Sequence, residues 1–246
     1  MADDRKQNNK YMFSYYGSKS KLVNYYPKPT KDLIIEPFAG SARYALKYWE
    51  KDVIINEKYK TVFDVWIWLQ KCNENDILKL PTPKPKEDIR DYNLSKEEVS
   101  FMGFIINRGS VSPKNKVGNF SDGLPNTLKR VASNLKKIKH WDIRLGCYTE
   151  IENKDATWFI DPPYQFGGNL YKENNIDFKH LKKWCNSRVG EVIVCENTKA
   201  DWIELQPLKK IQGARNTNTT EAVFLKGWKK NIITTGRQET LFNAQT

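Results

Sequence analysis

The stretch "DLIIEPFAGSARYALKYWEKDVIINE", residues 32–57, decides the fold. Its apolar start reads as a short buried strand. Small residues at 39–42 then make a tight turn, and helix formers run on to Trp49. "DVIINE" is a second strand ending in an acid, and "KTVFDVWIWLQK", residues 60–71, reads as a buried helix. Strand, turn, helix, strand, acid, helix is the opening of a doubly wound α/β sheet.

The same stretch suggests a ligand. Small residues at a strand-to-helix turn let a ligand approach the backbone, although tight turns without ligands use them too. Glu57 sharpens the reading. It ends the second strand, 17 residues after Gly40, where nucleotide-binding α/β folds place an acid on the ribose hydroxyls. A nicotinamide cofactor needs a G-x-G-x-x-G turn for its pyrophosphate, whereas Gly40 is followed by Ser41, Ala42 and Arg43. An adenosine without a pyrophosphate fits better, and S-adenosylmethionine is the common one. "YYGSK", residues 15–19, offers polar partners for its methionine end.

A second stretch carries the chemistry. In "FIDPPYQF", residues 159–166, an apolar strand must end at Pro162 and Pro163, because proline cannot donate to a sheet ladder. An exocyclic amine is a poor nucleophile, its lone pair being delocalised into the ring. A carboxylate and a backbone carbonyl that accept its two hydrogens can turn that lone pair toward a methyl donor. Asp161 and the rigid prolines suit this task, and Tyr164 could stack on the base once it has left its duplex.

Composition agrees with a nucleic-acid partner. The 246 residues hold 41 Lys and Arg against 29 Asp and Glu, a net charge of +12, which suits a polyanionic partner and equally a solubilising surface. The four cysteines form no C-x-x-C pair and there are two histidines, so neither a zinc site nor a disulfide framework is indicated. The polar start lacks an apolar signal region, and no apolar run reaches membrane-spanning length. A soluble protein of a reducing compartment is expected.

Between the motifs lies an insertion at about residues 72–134. "LPTPKPKEDIRDY" reads as an extended spacer, and Ser95 with Glu98 as a capping box for a helix to about Ile106. "NRGSVSPKNKVGNFSDGLPN" is a long basic loop, of the kind that is functional or disordered. Helical spacing returns at Leu128, Val131, Leu135 and Ile138, and Ile143, Leu145 and Cys147 alternate as in a strand. A helix at about residues 177–186, a strand "EVIVCEN" and strand candidates near residues 208–212 and 221–225 follow, with a tail expected to fray.

Taken in order, these motifs resemble the Dam-like, D12 class of DNA adenine-N6 methyltransferases over roughly residues 11–227. "YYGSKSKL" is similar to that family's aromatic-G-G-K loop, "EPFAGSA" to its F-x-G-x-G turn and "INEKYK" to its N-D-x-N strand end. "DPPYQFGGNLY" resembles the catalytic loop with its later tyrosine, and "NTTEAVFLKGW" the late strand. Ser18 stands where a second glycine is usual, Ala42 replaces the turn's last glycine, and Cys147 takes the place of an acid that often contacts the adenine.

The resemblance implies a discontinuous catalytic domain, residues 1–71 and 135–246, with residues 72–134 as a mostly helical DNA-recognition module. It implies methyl transfer from S-adenosylmethionine to adenine N6 in double-stranded DNA, by base flipping and without a metal. Tyr16, Gly17, Lys19, Glu36, Phe38, Ala39, Gly40, Glu57 and Asp161 would form the cofactor site. Asp161, Pro162, Pro163 and Tyr164 would be catalytic; Lys19, Tyr164, Tyr171, Arg108, Lys114 and Lys116 would meet the substrate. A monomer or weak homodimer in a bacterial, phage or viral host cytoplasm, without membrane contact, is expected.

Cytosine N4, RNA adenine and an inactive DNA-binding module of the same fold are the competing readings. Cytosine-N4 enzymes usually carry serine at the place of Asp161. Plain structural readings compete at single residues: Asp161 as a turn cap, Tyr164 as packing, Glu57 as a cap for the next helix, Lys19 as solvated surface, and the three insert cations as loop charges.

Overall fold

The computed structural model describes residues 11–107, 109–118, 123–212, 218–228, 232–235 and 238–241. Seven strands form one sheet: β1 (Leu33–Glu36), β2 (Asp52–Glu57), β3 (Asp142–Leu145), β4 (Ala156–Ile160), β5 (Gly190–Asn197), β6 (Gln206–Gln212) and β7 (Asn218–Lys226). Their order is β3-β2-β1-β4-β5-β7-β6. The first five strands run parallel, and β7 lies antiparallel to both β5 and β6. The chain is thus a mixed α/β protein with a mostly parallel sheet, compatible with a Rossmann-like fold.

Strand alternation explains how both faces are covered. Ile34, Val53, Ile55 and Phe159 point into a large core shared with α1 (Arg43–Lys47) and α2 (Lys60–Lys71). Their neighbours Ile35, Ile54, Trp158 and Ile160 point into a second core, closed by Leu181 and Trp184 of the last helix (Phe178–Ser187). A strand buried on both faces must be apolar throughout, which is why "LII" and "TWFI" read as continuous runs.

The segment 72–134 folds as α3 (Glu74–Leu78), α4 (Lys96–Ile105) and α5 (Leu124–Asn134), and the last helix is α6. Ser95 and Glu98 close the expected capping box at the start of α4. Phe101 and Phe104 lie in the same cluster as Phe13 and Trp66; Phe104 lies 5.5 Å from Phe13 and Phe13 5.1 Å from Trp66.

Three local expectations change. The proline-rich spacer does not run free: its Lys86 and Ile89 N–H groups donate to Val117 and Asn115 carbonyls, and Ile89 is fully buried. Short-range spacing could not reveal that partner, about thirty residues away. β3 ends at Leu145, short of Cys147, which is the N-cap of a 3₁₀ turn at Tyr148–Glu150. In the tail, Gln238–Leu241 (β9) pairs antiparallel with Ile232–Thr235 (β8) where fraying was expected, and residues 236–237 and 242–246 lie outside the described residues. No helix among the described residues is long and apolar enough to cross a membrane.

Candidate functional site

Parallel strands bring their C-terminal ends to one side. Between β1 and β4 the strand order reverses, and helices leave to opposite faces there, opening a crevice. A cleft of about 880 Å³, counting the space open to solvent, lies at this place. Its walls come from residues 36–43 after β1, 57–59 after β2, 146–148 after β3 and Asp161 and Pro163 after β4, with residues 15–19 and Tyr171 over them.

The turn after β1 is held from several sides. Gly40 N–H donates to Glu57 Oε2 at 2.9 Å, and Tyr59 N–H donates to Glu57 Oε1 at 2.9 Å. Trp66 Nε1 donates to Gly40 O at 2.9 Å, and Ala39 N–H to Asn56 O at 3.0 Å. Glu57 thus ties the β1 turn to the chain entering α2, but it does not cap that helix, whose N-cap is Tyr59 without a side-chain cap. Each carboxylate oxygen has a second acceptor site, which leaves capacity for ligand hydroxyls. Burial raises the Glu57 carboxyl above the usual range, opposed by the N–H groups it accepts. Gly40 has φ 47°, and a side chain there would press on the Tyr15 ring. Ala42 also takes a left-handed conformation, φ 44°, at the position where the family motif has glycine.

Glu36 lies beneath this turn and accepts from Ala45 N–H at 2.6 Å. Burial pushes its carboxyl up to about 8, against the Ala45 N–H bond, which holds it down. Phe38 packs on Tyr148 with ring centroids 5.2 Å apart, giving the cleft an aromatic wall beside Cys147.

The opposite wall is an ionic cluster. Lys19 is 6% exposed, so the solvated-surface reading fails. Its Nζ pairs with Asp161 Oδ1 at 2.7 Å, donates to Gly17 O at 3.2 Å and sits 4.8 Å from the centre of the Tyr164 ring. Tyr164 Oη donates to Glu221 Oε1 at 2.7 Å, and Tyr26 Oη reaches the same oxygen at 2.8 Å. Burial pushes the Asp161 carboxyl up to about 6, against the pull of Lys19 and with the push of Glu221. Burial opposes the Lys19 charge, yet Asp161 and then Glu221 hold its pKa above the ordinary lysine value.

The loop after Pro163 is fixed from β5. Glu196 accepts from Gln165 N–H at 2.6 Å, and Asn197 Nδ2 donates to Phe166 O at 2.9 Å. Tyr171 Oη then donates to Tyr16 O at 3.2 Å, closing this loop over the first one. Gly17, with φ 70°, lies directly under that hydroxyl, where a Cβ would collide.

Eleven of the residues singled out from sequence meet in this cleft: Tyr16, Gly17, Lys19, Glu36, Phe38, Ala39, Gly40, Glu57, Asp161, Pro163 and Tyr171. Pro162 is buried and does not line it. Tyr164 is also outside the lining and stands beside Lys19. Lys114 and Lys116 lie elsewhere, exposed around a second hollow with Arg90 and Asn107. That hollow is tied to the cleft: Tyr16 N–H donates to Ser110 O at 3.1 Å, and Gly109 N–H to Ser14 Oγ at 3.0 Å. Arg108 lies outside the described residues.

Sequence reasoning missed Glu221, Glu196 and the link between Ser18 and Arg43. Glu221 had a signal: alternation in β7 puts it on the same buried face as Val223, and an acid on an apolar face needs partners. No protein-family model matches the chain, and no curated protein matches it significantly.

Proposed function

We propose that the protein is a methyltransferase that moves a methyl group from S-adenosylmethionine to N6 of adenine in double-stranded DNA. One observation carries this reading: the Gly40 turn, the β2 acid Glu57 and Asp161 of D-P-P-Y, far apart in sequence, face a single cleft at the reversal of strand order. The residues present fit the cofactor. Glu57 keeps acceptor sites for two ribose hydroxyls, Gly40 allows close backbone approach, and Phe38 offers a ring to the adenine.

When bound, S-adenosylmethionine supplies a methyl group on a sulfonium, which needs no further activation. The rest falls to the chain. Asp161 and the backbone beside the prolines accept the amine's hydrogens and aim its lone pair. Lys19 must yield Asp161 Oδ1 for this, and the Gly17 carbonyl and Glu221 remain beside its ammonium. Once the amine has taken the methyl group, the Asp161 carboxylate would accept its surplus proton. Tyr164, held upright by Glu221, is available to stack on the extruded base.

Calorimetry with S-adenosylmethionine, followed by modified-base sequencing of DNA treated with the protein, tests the proposal. Cofactor heat and N6-methyladenine in a fixed context are expected. Absence of cofactor heat would leave an inactive DNA-binding module, and methylation of cytosine or of RNA alone would replace the substrate.

A further inference from the structure

Among the described residues three cations line the cleft, and they differ in their company. Lys19 pairs with Asp161, and Lys58 with Glu173 at 3.1 Å. Arg43 has no carboxylate within 4.0 Å among the described residues. Its Nε donates to Ser18 Oγ at 2.8 Å, and Ser41 Oγ donates to that same oxygen at 3.1 Å. The Tyr11 ring covers the guanidinium at 4.5 Å. One edge is therefore tied and one face is stacked, while no acceptor among the described residues takes the terminal nitrogens. Burial lowers the Arg43 pKa to about 10, and Arg130, which stacks on the same Tyr11 ring, adds to the fall.

A half-buried guanidinium without an anion is costly, and its terminal N–H pair matches a carboxylate in geometry. We infer that Arg43, oriented by Ser18 and Ser41, binds the methionine carboxylate of S-adenosylmethionine. The inference rests on the proposed function, because it assigns one end of the ligand proposed there. Charge matching supports it. The sulfonium and ammonium of that ligand are cations, suited to a cleft that also holds Glu57 and Asp161. The carboxylate is its one anion, and Arg43 is the cleft cation left for it. Ser18 belongs to the loop after Tyr16 and Arg43 to the turn after Gly40, so the subsite lies at the seam where the two close. The serine that departs from the family's second glycine thereby acquires a task that glycine could not perform.

Calorimetric affinities for S-adenosylmethionine and for its decarboxylated form test this in wild type, Arg43→Gln and Arg43→Lys. The wild type should prefer the carboxylate-bearing ligand by about tenfold or more, the strength of a charge-assisted pair. Arg43→Gln should bind both ligands about equally, and Arg43→Lys should fall between, having charge without the fork. Ser18→Ala should reduce the preference while keeping the fold. A wild-type ratio near one, or an unchanged ratio in Arg43→Gln, overturns the inference while leaving cofactor binding intact. Loss of DNA affinity with an unchanged ratio overturns it too, assigning the guanidinium to a phosphate. Binding of neither ligand by the wild type removes the proposed function together with this subsite.

Discussion

At the residue scale, Asp161 carries the heaviest demand. In the proposed reaction it must be ionised to accept an amine hydrogen, and burial pushes its carboxyl up to about 6. The single-turnover methyl-transfer rate should therefore fall about tenfold per pH unit below about 6 and level off above it. Asp161→Asn should lower the plateau by about a hundredfold or more and abolish that acid limb, as expected of a group acting in the transition state. Glu57 holds the β1 turn and, in the proposed site, also the ribose. Glu57→Ala should weaken cofactor binding by about 1.5–3 kcal/mol and also loosen the turn that its oxygens hold. Calorimetry and thermal melts read the two losses separately. Ala42 shows how far a motif can be read. The missing glycine is visible in the sequence, but only the backbone shows a left-handed alanine, φ 44°. That conformation costs about 1–2 kcal/mol, partly offset by the lower chain entropy of alanine. Ala42→Gly should stabilise by about 0.5–1 kcal/mol, seen as a melting point raised by a few degrees.

At the scale of elements, the junction of β1 and α1 stores a pH dependence. The Glu36 carboxyl is raised from its ordinary value of 4.5 to about 8, so its neutral form favours the fold. The stability this contributes is complete below pH about 4.5 and is lost as pH rises through about 8. Melts from pH 5 to 8.5 should show a decline that Glu36→Gln removes. The insert poses a different question. Its helix boundaries were legible, since Ser95 and Glu98 are a local signal. The pairing of residues 86–89 with 115–117 was not, because it joins two irregular segments without a repeating pattern. It leaves Lys114 and Lys116 exposed beside Arg90. Lys114→Ala with Lys116→Ala should reduce the salt-dependence slope of DNA binding by about two, one for each lost phosphate contact. Cofactor affinity should not change, as neither lysine lines the cleft.

At the scale of the whole molecule, local motifs foretold more of the site than of the sheet. A turn, a strand-end acid and D-P-P-Y are short signals with chemical reasons, and the turn, the acid and Asp161 with Pro163 reach one cleft, while Pro162 and Tyr164 stand outside its lining. The strand order, with β7 between β5 and β6, is a long-range outcome that no short stretch encodes. Lys19 illustrates the same limit: its motif singles it out, but its partners Asp161, Glu221 and Tyr164 come from distant strands and loops. The net charge of +12 suits a polyanionic partner, but charge alone does not select an amine. The reaction does. The most direct measurement is single-turnover transfer of labelled methyl from S-adenosylmethionine to double-stranded DNA, comparing wild type with Asp161→Ala and identifying the product base. The expected result is N6-methyladenine formed by the wild type, with the rate all but lost in the variant while DNA and cofactor still bind. Transfer by Asp161→Ala at the wild-type rate would contradict it, leaving "FIDPPYQF" as a turn and nothing more.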